Sequence, residues 1–312
     1  MSSRKLMVGA AQMGPIARAD TRRQTVKRHI ELLRQAKSRG CDLLVFPELA
    51  FTTFFPRWYI EDEAELESFF EREMPGPETA ALFDEAARLA IGFSIGYAEL
   101  AVEGGRKRRF NTAILVDKSG TIFGKYRKIH LPGHADHRPQ LKFQHLEKLY
   151  FEPGNLGFPV WRSLGGVFGM CICNDRRWPE TYRVMALQGV EMVVLGYNTP
   201  VGHTYHPDID GLSLFHNHLS MQAGAYQNSS WVVGTAKCGA EDGFGMIGGS
   251  AIVAPTGEIA ARALTEDDEL ITTTLDLELG DYLRRTVFAF EKHRRIEHYG
   301  LITSRSGAKT EV

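Results

Sequence analysis

Glu48, Lys128 and Cys173 are residues of three different chemistries, and each stands at the end of a predicted strand. Cys173 closes the run from Gly166, and the residues after it carry helix-start signals: Asn174 and Asp175 as caps, then Pro179 in a first turn. A strand that stops before a helix leaves its last side chain beside backbone N–H groups with no partner, a favourable place for a thiolate. A cysteine attacking a carbonyl needs a group to take its proton and a cation or donor to hold the oxyanion. A free thiol titrates near ~8.5, so its surroundings must help. Glu48, flanked by Phe46, Pro47, Leu49, Ala50 and Phe51, has the apolar setting that raises a carboxylate's pKa and suits a general base. Lys128, in a basic run, would favour the thiolate and then the oxyanion. Read bottom-up and singly, each has an ordinary alternative: a small core cysteine, a solvated carboxylate, a solvated lysine.

The elements that must position these three recur along the chain. Leu6 to Gln12 reads as a strand, Asp20 to Ser38 as an amphipathic helix, and Asp42 to Phe46 as a strand buried on both faces that delivers Glu48. Helices follow from Glu61 to Glu73 and Ala80 to Ala90, then strands from Ile91 to Leu100, Phe110 to Asp117 and Thr121 to Lys125. The run Arg106-Lys107-Arg108-Arg109 reads as a solvated loop. Leu131 to Tyr150 has no period, and a loop of that length inside a compact domain is functional or disordered. Strands from Phe158 to Ser163 and Gly166 to Cys173, helix Pro179 to Gln188 and strand Glu191 to Gly196 come next. Helix Gly211 to Asn228 precedes strands Ser230 to Lys237, Ile247 to Ala254 and Glu269 to Asp276. Interposed helices and hairpins imply an α/β or α+β fold with mixed sheets. With no linker or repeat, residues 1–283 read as one domain and 284–312 as a basic tail that wraps over a partner subunit or frays.

The composition narrows the function classes. Lys and Arg number 37 against 38 Asp and Glu, a net charge of −1, so no overall field favours nucleic acid or an anionic membrane. Neither a signal peptide nor a membrane span is legible, and four cysteines in 312 residues form no disulfide framework, which implies a cytoplasmic setting with free thiols. A metallohydrolase built on His130, His134, His137 and His145 is the rival of another class. Pro132-Gly133 keeps His130 and His134 off one face of a continuous helix, so no metal site and no cofactor is expected.

Phe46-Pro47-Glu48, Tyr126-Arg127-Lys128-Ile129-His130-Leu131 and Cys173-Asn174-Asp175-Arg176 resemble, in order, the three signatures of the nitrilase (carbon–nitrogen hydrolase) superfamily. The resemblance extends from the first strand to Pro255-Thr256-Gly257-Glu258. It implies a four-layer α-β-β-α sandwich, with Glu48 as general base, Lys128 as oxyanion stabiliser, Cys173 as nucleophile and Glu147 as the superfamily's second glutamate. Further strings, among them Thr52-Thr53-Phe54-Phe55-Pro56-Arg57-Trp58, Phe143-Gln144-His145-Leu146-Glu147-Lys148 and Gly196-Tyr197-Asn198-Thr199-Pro200, are similar to one branch, the N-carbamoyl-D-amino-acid amidohydrolases.

Such a substrate has a ureido carbonyl to be attacked and a carboxylate to be held. Arg176 or Arg177 would grip the carboxylate through a bidentate fork, with Asn198 and Thr199 hydrogen-bonding it. Arginines at a helix start oppose the helix dipole, which supports a site role over surface charge. By the resemblance, His130, His145 and His216 supply donors or fix Glu48 and Glu147, and the backbone N–H near Asn174 completes the oxyanion site. The D preference and a homo-oligomer, dimer or tetramer, are likewise implied only by resemblance. Val201 to Gly211 departs from the family's pattern, which leaves side-chain preference open, and another amidase of the superfamily with a different acyl substrate is the alternative reading.

Overall fold

The short apolar runs become the centres of two β-sheets in the computed structural model, which describes residues 4–141, 143–202 and 206–308. The first sheet has the order Glu269–Asp276, Lys5–Gln12, Leu43–Val45, Gly92–Glu103, Arg106–Val116, Ile122–Arg127, with Phe70–Glu71 beside Gly92–Glu103. The second has the order Ile259–Arg262, Ala251–Val253, Trp231–Ala236, Met192–Tyr197, Gly166–Ile172, Val160–Ser163. Three neighbouring strands run parallel at the centre of each, joined by crossovers, and antiparallel strands close the edges.

Side-chain alternation explains the layering. Leu43 and Val45 pack with Val8, Ala10 and Leu115 against Met170, Val194 and Val233 of the other sheet. Leu44 points the opposite way, into a second core with Phe93 and the helical residues Leu32, Leu33, Leu82 and Phe83. Helices Arg22–Ser38 and Ala80–Leu89 thus cover the first sheet, and Pro179–Ala186 and Ser213–Asn228 cover the second, giving the four-layer α-β-β-α sandwich. Each fully buried Leu, Val or Phe contributes roughly 1.5–3 kcal/mol, so the two cores hold the strand ends at fixed positions.

Four local expectations need correction. The helix over Glu61 to Glu73 is only Glu63–Ser68, capped by Asp62, because Phe69 and Phe70 leave it to join an aromatic cluster around Phe55. The basic run is strand, not loop: Arg106 to Arg109 pair in register with Glu103 to Leu100, and Glu103, Glu152, Glu63 and Glu67 neutralise them. The strand over Ile247 to Ala254 is broken at Gly248-Gly249. Its first residue ends a hairpin, Cys238–Glu241 with Phe244–Ile247, that belongs to neither large sheet. Asn174 and Asp175 do not cap a helix; they lie within a 3-10 turn, Cys173–Arg177, that precedes helix Pro179–Ala186.

The C-terminal segment begins against its own chain. Arg284 donates to the Ser229 carbonyl (2.6 Å), and Phe290 lies under the Arg183 guanidinium at 4.1 Å. Residues 309–312 of the expected tail, and 203–205 of the stretch from Val201 to Gly211, lie outside the described residues. Among the described residues, no helix is long and apolar enough to cross a membrane.

Candidate active site

Glu48, Lys128 and Cys173 come from different strands and meet where the two sheets touch. Glu48 follows strand Leu43–Val45 and is wedged between Gly96 of the first sheet and Gly196 of the second. A Cβ on Gly96 would lie 2.8 Å from the Glu48 Cα, and one on Gly196 would lie 2.2 Å from its backbone nitrogen. Only glycine at these two positions admits the glutamate. Leu49 then turns the chain with φ +45° and Cys173 sits at φ +47°, a left-handed conformation that costs a β-carbon residue about 1–3 kcal/mol. Strain therefore flanks Glu48 and sits on Cys173 itself.

Lys128, Glu48 and Glu147 are wholly buried, and Cys173 is 5% exposed. Lys128 Nζ donates to Glu48 Oε1 (2.7 Å) and to Glu147 Oε2 (2.6 Å). Asn111 Nδ2 donates to the same Glu48 oxygen (2.7 Å), while the Asn198 N–H donates to Oε2 (2.8 Å) and its Nδ2 to the Glu48 carbonyl (2.8 Å). His145 Nε2 meets Glu147 Oε1 at 3.0 Å. Burial opposes the Lys128 charge, but Cys173, Glu147 and Glu48 outweigh it and hold the ammonium above its ordinary range. Glu147 is likewise opposed by burial, yet Lys128 and then His145 keep it below the usual carboxylate range. Burial and the Glu48 carboxylate push the Cys173 thiol up against the pull of Lys128 and Arg176, and the thiol rests 3.6 Å from the Asn198 carbonyl. At neutral pH this is a protonated thiol beside a fixed cation and two carboxylates, an arrangement that needs a base before it attacks.

A cleft of about 480 Å³ opens onto Cys173 and is lined by Asn174, Arg177, Asn198, Thr199 and Pro200, and by Pro132 to His134, Arg138, Leu141, Phe143 and His145 of the long loop. The loop is closed at its base by the His134 N–H on the His145 carbonyl (2.9 Å), with Gly133 (φ +75°) in contact. The two arginines part company here. Arg176 is 1% exposed and committed to Asn217 Oδ1 (2.8 Å), the Cys173 carbonyl (2.5 Å) and Thr199 Oγ1 (3.0 Å), so its guanidinium braces the nucleophile turn. Arg177 lines the cleft with no hydrogen-bond or ion-pair partner among the described residues.

Two of the proposed histidines stand elsewhere than expected. His130 Nδ1 and its backbone N–H meet Asp175 Oδ1 (2.8 and 2.9 Å), and its ring stacks on Trp178, so it ties strand ends together outside the cleft wall. His216 is half-buried on helix Ser213–Asn228 and is not a lining residue; its neighbour Asn217 is the one that reaches the site, through Arg176. His137 stacks on Tyr59, so the four loop histidines do not converge, and among the described residues no group of three His, Cys, Asp or Glu could hold a metal ion.

Reading the sequence missed Asn111 and Asp175. Asn111 is a lone amide in the apolar stretch after Phe110, and that was its signal. Asp175 accepts from Tyr126 Oη (2.7 Å) and Ile172 N (3.0 Å) besides His130, joining the strand that ends just before Lys128 to the one that ends just before Cys173.

The whole is a buried cluster of charges beside a cysteine at the floor of a cleft, an arrangement chemically suited to acyl transfer, and comparison with known proteins gives the family. Residues 7–285 match the carbon–nitrogen hydrolase family, and the chain belongs to that family, within the nitrilase superfamily. It is 30% identical over 288 residues to N-carbamoylputrescine amidase of Arabidopsis thaliana, covering 88% of this chain and 89% of that one. A citrullinase of Francisella tularensis is 34% identical over 172 residues, 54% of this chain and 56% of that one. The fold matches a carbon–nitrogen hydrolase from Helicobacter pylori G27 with a TM-score of 0.82 at 24% identity, over 97% of this chain and 99% of that one. It also matches a mutant of the amidase from Nesterenkonia sp. AN1, in which the acetamide moiety of fluoroacetamide is covalently added at the active-site cysteine (TM-score 0.68, 21% identity, 94% and 97% covered).

Proposed function

We propose that this amidase hydrolyses the ureido C–N bonds of N-carbamoyl compounds that carry a carboxylate, the N-carbamoyl amino acids. The single observation behind the carboxylate is Arg177, a guanidinium without a hydrogen-bond or ion-pair partner among the described residues, in the cleft that holds Cys173. Arg138, His134 and His145 line the same cleft, and no Asp or Glu is among its described lining residues. Arg138 is already forked onto Asp136, so among the described lining residues Arg177 is the uncompensated cation, and it attracts an anionic tail and repels an ammonium. The ureido head is the part common to the substrates for which the Arabidopsis and Francisella relatives are named. Those relatives support the broader reading, a carbamoyl-amine or other amide hydrolase of the superfamily, more directly than the narrowest one. That narrowest reading is N-carbamoyl-D-amino-acid hydrolase, and its D preference rests on motif resemblance alone.

In the mechanism, Glu48 takes the Cys173 proton as sulfur attacks the ureido carbon, and Lys128 with the Asn174 N–H holds the oxyanion. The tetrahedral species collapses by breaking a C–N bond, and the leaving nitrogen receives the proton held on Glu48. If the amino acid leaves first, Cys173 carries a carbamoyl thioester. Water then gives its proton to Glu48 and its oxygen to the carbonyl carbon, the C–S bond breaks, and Glu48 returns the proton to sulfur. The carbamate released decomposes to ammonia and carbon dioxide. Glu147 stays ionised and keeps Lys128 charged and fixed throughout.

The test is ammonia release from N-carbamoyl-D-phenylalanine, its L enantiomer and N-carbamoylputrescine under one set of conditions. The expected result is a kcat/KM for a carbamoyl amino acid at least about tenfold above that for the amine. The reverse ranking would sink the carboxylate assignment, and turnover of the L enantiomer alone would sink the D preference.

A further inference from the structure

A second buried lysine stands close to the floor of the site and takes no part in the chemistry above. Lys237 and Glu241 are both wholly buried and paired at 3.0 Å. Such a pair contributes little net stability against burial in well-packed apolar residues, so its persistence calls for another explanation. Its hydrogen bonds supply one. Lys237 Nζ donates to the Thr52 carbonyl (2.8 Å), while Glu241 Oε1 accepts from the Phe54 N–H (2.6 Å) and from Thr53 Oγ1 (3.1 Å). The two charges thus grip a three-residue segment at both ends.

That segment connects to the site on two sides. It follows Glu48 by four residues, through the strained Leu49. Phe54 also meets the His145 ring edge-on at 5.5 Å, and His145 holds the Glu147 oxygen opposite the one that takes Lys128. The hairpin carrying Glu241 is itself anchored, since the Ile16 N–H donates to Glu241 Oε2 (3.1 Å) and Arg57 spans the Glu241 carbonyl (2.7 Å) and Asp242 Oδ2 (2.8 Å). We propose that Lys237 and Glu241 are positioning residues for the reaction, setting the two carboxylates that flank Lys128 by fixing the segment Thr52 to Phe54. The proposal rests on the roles given to Glu48, Glu147 and Cys173, and not on the identity of the substrate.

The test compares wild type with the charge-balanced double variant Lys237→Met/Glu241→Gln. A control variant, Arg22→Met/Glu71→Gln, removes a mostly buried ion pair on the first sheet's flank. The readouts are kcat and KM per mole of alkylatable Cys173, and the rate at which iodoacetamide alkylates that thiol at one fixed pH. A displacement of an ångström at a reacting centre can cost about a hundredfold, so the Lys237/Glu241 variant is expected to lose about tenfold or more in kcat and in alkylation rate. Its KM should stay within about threefold, because Arg177 is on a different segment, and the control should keep the wild-type kcat. Unchanged kcat and alkylation rate, or a kcat loss matched by the control, would overturn the proposal.

Should the double variant fail to fold, Thr53→Val removes one donor to Glu241 and one acceptor for Arg57 and is expected to lower kcat about threefold with KM unchanged. An unaltered kcat there would also overturn it. Wild-type protein that iodoacetamide alkylates elsewhere than at Cys173, with activity lost, would bring down the triad assignment and this proposal together.

Discussion

Beneath the cleft floor, Lys128, Glu48 and Glu147 are shut away from water and hold one another, whereas at its mouth Arg177 is exposed and has no hydrogen-bond or ion-pair partner among the described residues. A buried charge without a partner is prohibitively costly, so the floor's geometry is fixed before substrate arrives. The Arg177 guanidinium is only partly withdrawn from water, where burial and then the Arg176 charge push its pKa down, so it costs far less to leave without a partner and is free to take a ligand. Arg176 and Arg177 show the division in two consecutive residues: one is spent on the fold, the other is available. On the proposed mechanism the buried floor serves bond breaking and the mouth serves substrate choice.

Removing floor groups should have the largest effects, and different ones. Cys173→Ala is expected to lower kcat by about 10⁴-fold or more with no loss of melting temperature, since it deletes only the nucleophile. Lys128→Met should abolish turnover and also destabilise the fold by about 3–5 kcal/mol, because it leaves two buried carboxylates facing each other. Equal melting temperatures for the two variants would break the contrast.

A buried histidine outside the cleft lining sharpens it from the other side. His29 lies on the inner face of helix Arg22–Ser38, edge-on to Phe46 and Phe51. Burial first, and then the Arg28 charge, push it down to about 3, so it is neutral in the folded protein. Because the folded value lies below the unfolded one, the unfolded chain binds the extra proton. Full stability is present above about pH 6.5 and is lost as pH falls from there toward 3. Urea melts from pH 7 to 4 should show His29→Leu losing less than wild type, by on the order of a few kcal/mol. Parallel loss in the two proteins would contradict the assignment.

At the mouth, Arg177→Met is expected to raise KM for a carbamoyl amino acid by about thirtyfold with kcat within about threefold and an unchanged melting temperature. Arg176→Met should instead destabilise by about 2–4 kcal/mol, having orphaned Asn217, Thr199 and the Cys173 carbonyl. Interchanged outcomes would reverse the roles. Arg138, already forked onto Asp136 (2.6 and 3.0 Å), should matter least: Arg138→Ala is expected to change KM by about threefold. Steady-state kinetics on the same substrate would resolve all three variants.

The sequence was most legible where one strand ends in one chemical group. Short apolar runs are legible as strands and placed Glu48 and Cys173 at or near strand ends, but Lys128 sat in a basic run, and the resemblance of three ordered motifs is what brought the three groups together. What stayed hidden depends on turns and on packing between distant segments. Adjacent arginines on a 3-10 turn diverge sharply, so identical residues one position apart met opposite environments that no local pattern distinguishes. The same single-residue shift moved the contact with the site from His216 to Asn217. The hairpin Cys238–Glu241 and Phe244–Ile247 was obscured because its second strand runs on into Gly248-Gly249 and the next apolar stretch, and Lys237 therefore passed as a strand terminus. Asn111 became meaningful only when Glu48 arrived opposite it from a separate strand.

The most direct measurement is acid quenching during turnover of N-carbamoyl-D-phenylalanine, followed by peptide mass spectrometry of wild type and Cys173→Ala. The account predicts an acyl group of the ureido substrate on the Cys173 peptide of the wild type and neither adduct nor turnover in the variant. Turnover persisting in Cys173→Ala, or an adduct confined to another side chain, would contradict it.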